Sequence, residues 1–316
     1  MESGALKRLA PDCAAALGAL RAWVCGFALC DVLLTSFDDL GRLPVTVLRP
    51  TGAMRLLPWG LYERLLTPGA MTAFKWLFAA ALLAAAAGLL TPVSTKTSAA
   101  LFIFYQGLLR SFSHFNHDEM PAAYVLLVLA FTPCGEAFSL DALLRRGRRG
   151  GACEPPRDAL RYGYPILLMR LLLAWSYFSS ALVKLRVAGL GYLNADNLPA
   201  LAVVNSLDNL HDTQFRVGLW LPAWREYTPP LLALVLLWEL SFPLAVFWRR
   251  ARVVVLAAGV AFHLGTLLAL NLFFPYHLAL YALFVDWPAA ARRLRDRLRR
   301  RAAVEGAGEG GRENLS

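Results

Sequence analysis

Lys184 stands at the end of an apolar run. From Tyr164 to Leu182 the one charge is Arg170, and the run closes in YFSSALVKL, residues 177 to 185. An ammonium group there has two readings. Its tip can reach the headgroups while its stem stays in hydrocarbon, which Arg186 two residues on would suit. Alternatively, a surrounding of low dielectric disfavours the charged form, and a desolvated lysine becomes an amine able to accept a proton. A histidine opposite would stabilise the anion so formed.

Other polar residues lie in or beside apolar runs: Arg21, Asp31, Arg110, His114, His117, Arg170, Glu239, His263 and His277. A charge at the centre of a spanning helix costs at least ~2.5–3.5 kcal/mol, so it faces a cavity or a partner. His114 and His117 are spaced i, i+3, which would suit a metal if both lay on one face. No cysteine or third ligand completes the set, and Asp118 and Glu119 adjoin it but point elsewhere, so no metal is expected. His263 reads more simply as a core histidine, and Glu239 of WELSFP with Arg170 as a structural ion pair between helices. Arg21 and Asp31 are ten residues apart, about 15 Å along a helix, so they do not pair with each other.

The elements that position these residues follow from composition. Hydrophobic residues make up 58% of the 316 and mean hydropathy is +0.48, against about 45–50% apolar in a soluble domain. The excess is gathered in long blocks, and roughly 20 apolar residues cross the hydrocarbon at 1.5 Å each. The expected fold is all-α: a polytopic integral membrane helical bundle. Its eight spans are placed at about 15–36, 70–91, 97–115, 119–139, 162–184, 229–248, 252–272 and 274–290. One membrane domain, 15–290, is preceded by a cytoplasmic segment, 1–14, and followed by a basic, then disordered, cytoplasmic tail, 291–316.

The net charge is +10, but the arginines follow helix ends, which argues for membrane orientation and anionic headgroups rather than nucleic acid. With the N-terminus cytoplasmic, every strongly basic segment falls on the cytoplasmic side: RRGRRGGACEPPR, the RRAR turn at 249–252 and the tail RRLRDRLRRR. Both termini are therefore expected to be cytoplasmic. No cleavable signal peptide stands out, since the first apolar run carries Arg21 and Asp31. The five cysteines form no CxxC pair or metal-ligand spacing and read as small apolar residues. Two long outer segments, 37–69 and 185–228, are too polar to span and too apolar for solvated loops. Short interfacial helices are expected there, with Trp220 and Trp224 at headgroup level and a lid over an outward cavity as the functional version. The topology puts His114, His117, Lys184 and His277 at similar depth near the outer side.

Four blocks, in order, carry a resemblance: SFSHFNHDEMPAAYVLLVLAF, SLDALLRRGRR, YFSSALVKL and AFHLGTLLALNLFFPYHLAL, spanning roughly residues 110 to 288. The chain resembles the vitamin K-dependent gamma-glutamyl carboxylases and, more widely, the bacterial horizontally transferred transmembrane (HTTM) domain, which implies a multi-pass protein of a bacterial inner membrane. The resemblance implies that Lys184 matches the lysine base that deprotonates reduced vitamin K, a menaquinol-like quinol, and that His117 matches the histidine assisting at the carbanion stage. It puts His263 on the pocket helix, with Tyr177, His114, Arg110, Arg170, Glu239 and His277 as pocket or supporting residues. In the family the quinol, with O2, becomes an epoxide while a glutamate loses its γ-proton and takes up CO2. The implied partners are membrane lipid, the quinol and a peptide or protein glutamate. Val183 stands where the animal enzyme has a second lysine. The family also carries a large extra-membrane domain that grips the protein substrate, where about 26 residues follow the last expected helix here. Oxygen-dependent quinol epoxidation without carboxylation therefore stays open, and so does an unrelated substrate. Two other readings remain open: a quinone-linked oxidoreductase subunit, and a non-enzymatic lipid-binding membrane protein.

Overall fold

The computed structural model describes residues 14–112, 119–149, 159–207 and 215–290, with 292, 293, 296 and 297. Among these every regular element is helical. The principal helices are α1 (Ala14–Leu34), α2 (Pro68–Ala87), α3 (Thr91–Phe112), α4 (Met120–Ala130), α5 (Leu140–Arg149), α6 (Ala159–Ala188), α7 (Asn197–Leu207), α8 (Thr228–Ser241), α9 (Arg249–Leu270) and α10 (Pro275–Leu280).

Four of them, α1, α2, α6 and α9, are long and apolar enough to cross a membrane. The other expected spans depart from that length for identifiable reasons. The polar first turns of α3, with Thr91, Ser94, Thr95 and Lys96, lower its apolarity although it has 22 residues. In 119–139 the helix stops at Ala130 after 11 residues, and the following Pro133 and Gly135 break it. α8 ends at Ser241, ahead of Pro243, and a short helix Leu244–Phe247 follows. α10 has six residues and passes into a 3-10 turn, Tyr281–Phe284. The two long segments between spans form short helices and 3-10 turns: Phe37–Leu40, Val45–Val47, Gly52–Leu56 and Trp59–Leu65 in the first, Gly189–Leu193, α7 and Val217–Tyr227 in the second. Trp220 and Trp224 are both exposed.

α1 and α2 pack along each other. α2 starts with Pro68 at its first turn and the Thr67 hydroxyl accepting from Ala70 N, and it ends at Gly88, whose φ of +71° is the left-handed cap that glycine adopts freely. Gly88 has a second reason to lack a side chain, since a Cβ would come within 2.7 Å of Arg21 Nη1.

Arg21 is fully buried. Its guanidinium donates to the carbonyls of Cys134 (2.8 Å), Phe138 (2.7 Å) and Ala86 (3.3 Å). It thus satisfies the irregular stretch after α4, whose carbonyls no helix uses. Asp141 closes the same end. One carboxylate oxygen accepts from Leu90 N (2.9 Å), the other from Thr91 N and Thr91 Oγ1 (both 2.7 Å), and Asp141 N donates to Gly88 O (3.0 Å). Asp141 therefore caps α3 from another element. Asp31 does not meet Arg21: it accepts from Tyr276 Oη at 2.8 Å, joining α1 to α10.

Candidate functional site

Arg170, Tyr177, Ser180 and Lys184 recur along α6 at spacings that put them on one stripe of the helix. Helical side chains lean toward the N-terminus, so a lysine near the end of α6 is turned back along the helix. The Lys184 ammonium accordingly donates to Glu239 Oε1 of α8. Ser180 Oγ, one turn earlier, donates to the same oxygen at 3.2 Å. Glu239 is buried to 3% side-chain exposure, while Lys184 keeps 27%. The Lys184 Nζ also lies 5.7 Å from the ring centre of Tyr192, on the turn after α6.

This geometry changes two expectations. Glu239 does not pair with Arg170; it pairs with Lys184, because it lies at the level of Ser180, ten residues along α6 from Arg170, or about 15 Å. Arg170, also buried, donates through Nε to Leu283 O at 2.8 Å and has its guanidinium 5.4 Å from the Phe284 ring. Lys184 is not a lone desolvated amine: its Nζ is hydrogen-bonded to the carboxyl group of Glu239. Whether written as ammonium–carboxylate or as amine–carboxylic acid, the pair has no net charge, which lowers the cost of holding it in apolar surroundings.

Directly below, Tyr177 gathers a second group. Its hydroxyl is 2.7 Å from His263 Nε2 of α9 and 3.1 Å from Tyr281 Oη. The Tyr177 ring stacks on Phe242 at 4.1 Å and meets Trp238 edge-on at 5.0 Å. His277 of α10 has its ring 5.3 Å from that of Tyr177 and 5.5 Å from that of His263. Trp238, adjacent to Glu239, donates from Nε1 to Val255 O at 2.9 Å, which locks α8 against α9. Gly259 makes room for Tyr281: a Cβ there would fall 2.0 Å from the Tyr281 hydroxyl. Among the described residues, Glu239 Oε2 and His263 Nδ1 are buried without a hydrogen-bond partner.

The structure therefore brings Lys184, Glu239, Tyr177, His263 and His277 into one region, with Arg170 two turns below Tyr177. Arg110 stands apart, donating to Met120 Sδ across the α3–α4 connection. His114 and His117 lie outside the described residues. Among the described residues no group of three or more His, Cys, Asp or Glu could hold a metal ion. An apolar groove lined by Leu127, Phe131, Leu160, Tyr164 and Leu168 opens at the other end of α6, roughly 30 Å from Lys184 along the helix.

Sequence reasoning did not single out Ser180, Trp238, Tyr281 or Gly259. The i, i+3, i+7 spacing of Tyr177, Ser180 and Lys184 would have flagged the first; the others depend on contacts between distant segments, which no local pattern carries. Compared with protein-family models, with curated proteins and with solved structures, the chain matches none of them.

Proposed function

We propose that the chain is an integral membrane enzyme that moves a proton of a quinol-like lipid at the Lys184–Glu239 pair, with epoxidase-like or carboxylase-like chemistry. The observation that carries the reading is a titratable pair retained between two apolar helices, beside a tyrosine–histidine hydrogen bond on the same stripe. Ionisable groups in spanning helices mark substrate or proton pathways. The motif resemblance at YFSSALVKL supplies the substrate class, reduced vitamin K with O2 and CO2, and the coupling to a glutamate substrate.

The residues fit such a lipid. Lys184 is the more exposed member of the pair and meets a phenolic hydroxyl first. Glu239, held by Ser180 and Lys184 on one oxygen, keeps its second oxygen without a partner among the described residues. The partly exposed ring of Tyr192, beside the Lys184 ammonium, offers flat apolar surface to a quinol ring. When bound, the quinol supplies the oxygen-dependent redox chemistry; the chain receives, holds and passes the proton at Lys184 Nζ and Glu239 Oε1. The carboxyl group makes Lys184 one half of a relay, in place of the solitary base expected from sequence.

In the same reading eight segments cross a bacterial inner membrane with both termini cytoplasmic, the broken α4, α8 and α10 being completed by the turns that follow them. The test is direct. Purified protein with reduced vitamin K and O2 is expected to form epoxide, and Lys184→Ala and Glu239→Gln to reduce its rate by at least about 100-fold. Absence of epoxide from the parent protein sinks the quinol reading. A parent that turns over while both variants retain full rate sinks the role of the pair.

A further inference from the structure

Helix α5 lies outside the site and exposes an unusual face. Leu140, Leu143 and Leu144 are 42%, 60% and 55% exposed and fall on one side of the helix at i, i+3, i+4 spacing. Arg146 and Arg148 are exposed on its flanks, and Ala142 faces the bundle. Arg145 donates to Gly135 O at 2.7 Å, which fastens the inner face. A soluble surface would bury or replace the three leucines; a bilayer interface accepts leucine on one face and arginine on the other.

The depth of α5 is fixed independently. Asp141 bonds Leu90 and Thr91, and its N–H bonds Gly88 O, so the first turn of α5 is tied to the turn between α2 and α3. A turn joining two antiparallel spans sits at the headgroup level. Phe131 and Phe138, both exposed, flank the helix, and the ammonium of Lys96 lies 5.7 Å from the Phe131 ring centre. By chain direction the turn before α9 reaches the same end, and it repeats the combination with exposed Phe247 and Trp248 beside Arg249 and Arg250.

We propose that α5 is an amphipathic anchor lying in the membrane surface, its leucines among the acyl chains and Arg146 and Arg148 on the headgroups of anionic phospholipid. The occupant is lipid because the pattern is a shallow leucine strip between arginines, at a depth set by the bundle itself. The inference rests on the membrane-spanning part of the functional reading and on nothing in its chemistry.

The test uses the full chain in nanodiscs of phosphatidylcholine alone or mixed with phosphatidylglycerol. Leu144→Cys, Arg148→Cys and, as a mid-span control, Leu83→Cys are labelled with a fluorophore and exposed to a water-soluble quencher, with the labelled parent as background. The label at 144 is expected to be shielded like that at 83, and the label at 148 to be quenched. Phosphatidylglycerol retained on detergent extraction is expected to drop severalfold in Arg146→Gln/Arg148→Gln, since each arginine near an anionic surface is worth roughly fivefold. A label at 144 as open as that at 148 overturns the anchor and leaves the leucine face to a protein partner. A shielded label with unchanged lipid retention overturns the headgroup preference. A label at 83 open to water overturns the spanning reading, and the anchor with it. No turnover is measured, so failure of the quinol chemistry alone leaves this proposal untouched.

Discussion

Arg21 and Lys184 are both cations on long apolar helices, near opposite ends of the bundle, and they are satisfied in different ways. Arg21 meets three backbone carbonyls, from Ala86, Cys134 and Phe138. Those partners are fixed dipoles and cannot take up or release a proton. Lys184 meets the carboxyl group of Glu239, which can. Burial alone therefore does not separate the two sites. What distinguishes the two sites is the chemistry of the partner: the arginine organises a backbone, and the lysine belongs to a unit with an exchangeable proton.

Three experiments sharpen or break that contrast. The largest effect belongs to Arg21→Met. It leaves three carbonyls without their donor, and thermal unfolding in detergent should show a loss of about 3–5 kcal/mol. Arg21→Lys is expected to recover little of it, because an ammonium lacks the planar fork that reaches three acceptors. A full recovery by lysine would mean that charge, rather than geometry, is what the site requires.

The pair should behave differently. Lys184→Met alone or Glu239→Gln alone leaves one member unmatched, and because Lys184 is partly solvated the loss is about 1–3 kcal/mol. The double variant replaces the pair with neutral groups and is expected to regain most of that stability, as a double-mutant cycle would show. Epoxide formation should stay lost. Activity returning with stability would make the pair structural, like Arg21.

Asp141 gives the smallest effect. Desolvation pushes its carboxyl up, but the bonds from Thr91 and Leu90 and the Arg145 charge outweigh it and hold the group below its ordinary value. A carboxyl lowered in the folded state contributes its stability above the unfolded value of about 3.9 and loses it as pH falls through the lower folded value. Asp141→Asn should cost about 1 kcal/mol at neutral pH. It should also flatten the loss seen in the parent below about pH 4, followed by thermal unfolding across acidic pH.

The helical, apolar character of the chain was legible, since long runs of Ala, Leu and Val leave few alternatives. Span lengths were not. Hydropathy reads side chains, and residues 131–139 are apolar enough to pass for helix. Their backbone is instead irregular and is satisfied by Arg21, which lies 113 positions from Cys134. Lys184 was visible because its chemistry conflicts with its surroundings. Its partner was assigned to Arg170, because opposite charge on two helices carries no depth, and depth decided the pairing. Tyr281 and Gly259 gave no sign at all, since a hydroxyl fitting against a missing methyl is a property of two helix faces and not of either sequence.

The length of α6 has a last consequence. Its 30 residues extend about 45 Å, half as long again as the roughly 30 Å oil layer of a bilayer. Even with an ordinary tilt of about 20°, a Lys184 backbone some 35 Å beyond Arg161 emerges at the far rim of that layer. Under the proposed function, a proton collected there would be within reach of bulk solvent. An enzyme of that kind would need no wire of residues through its interior.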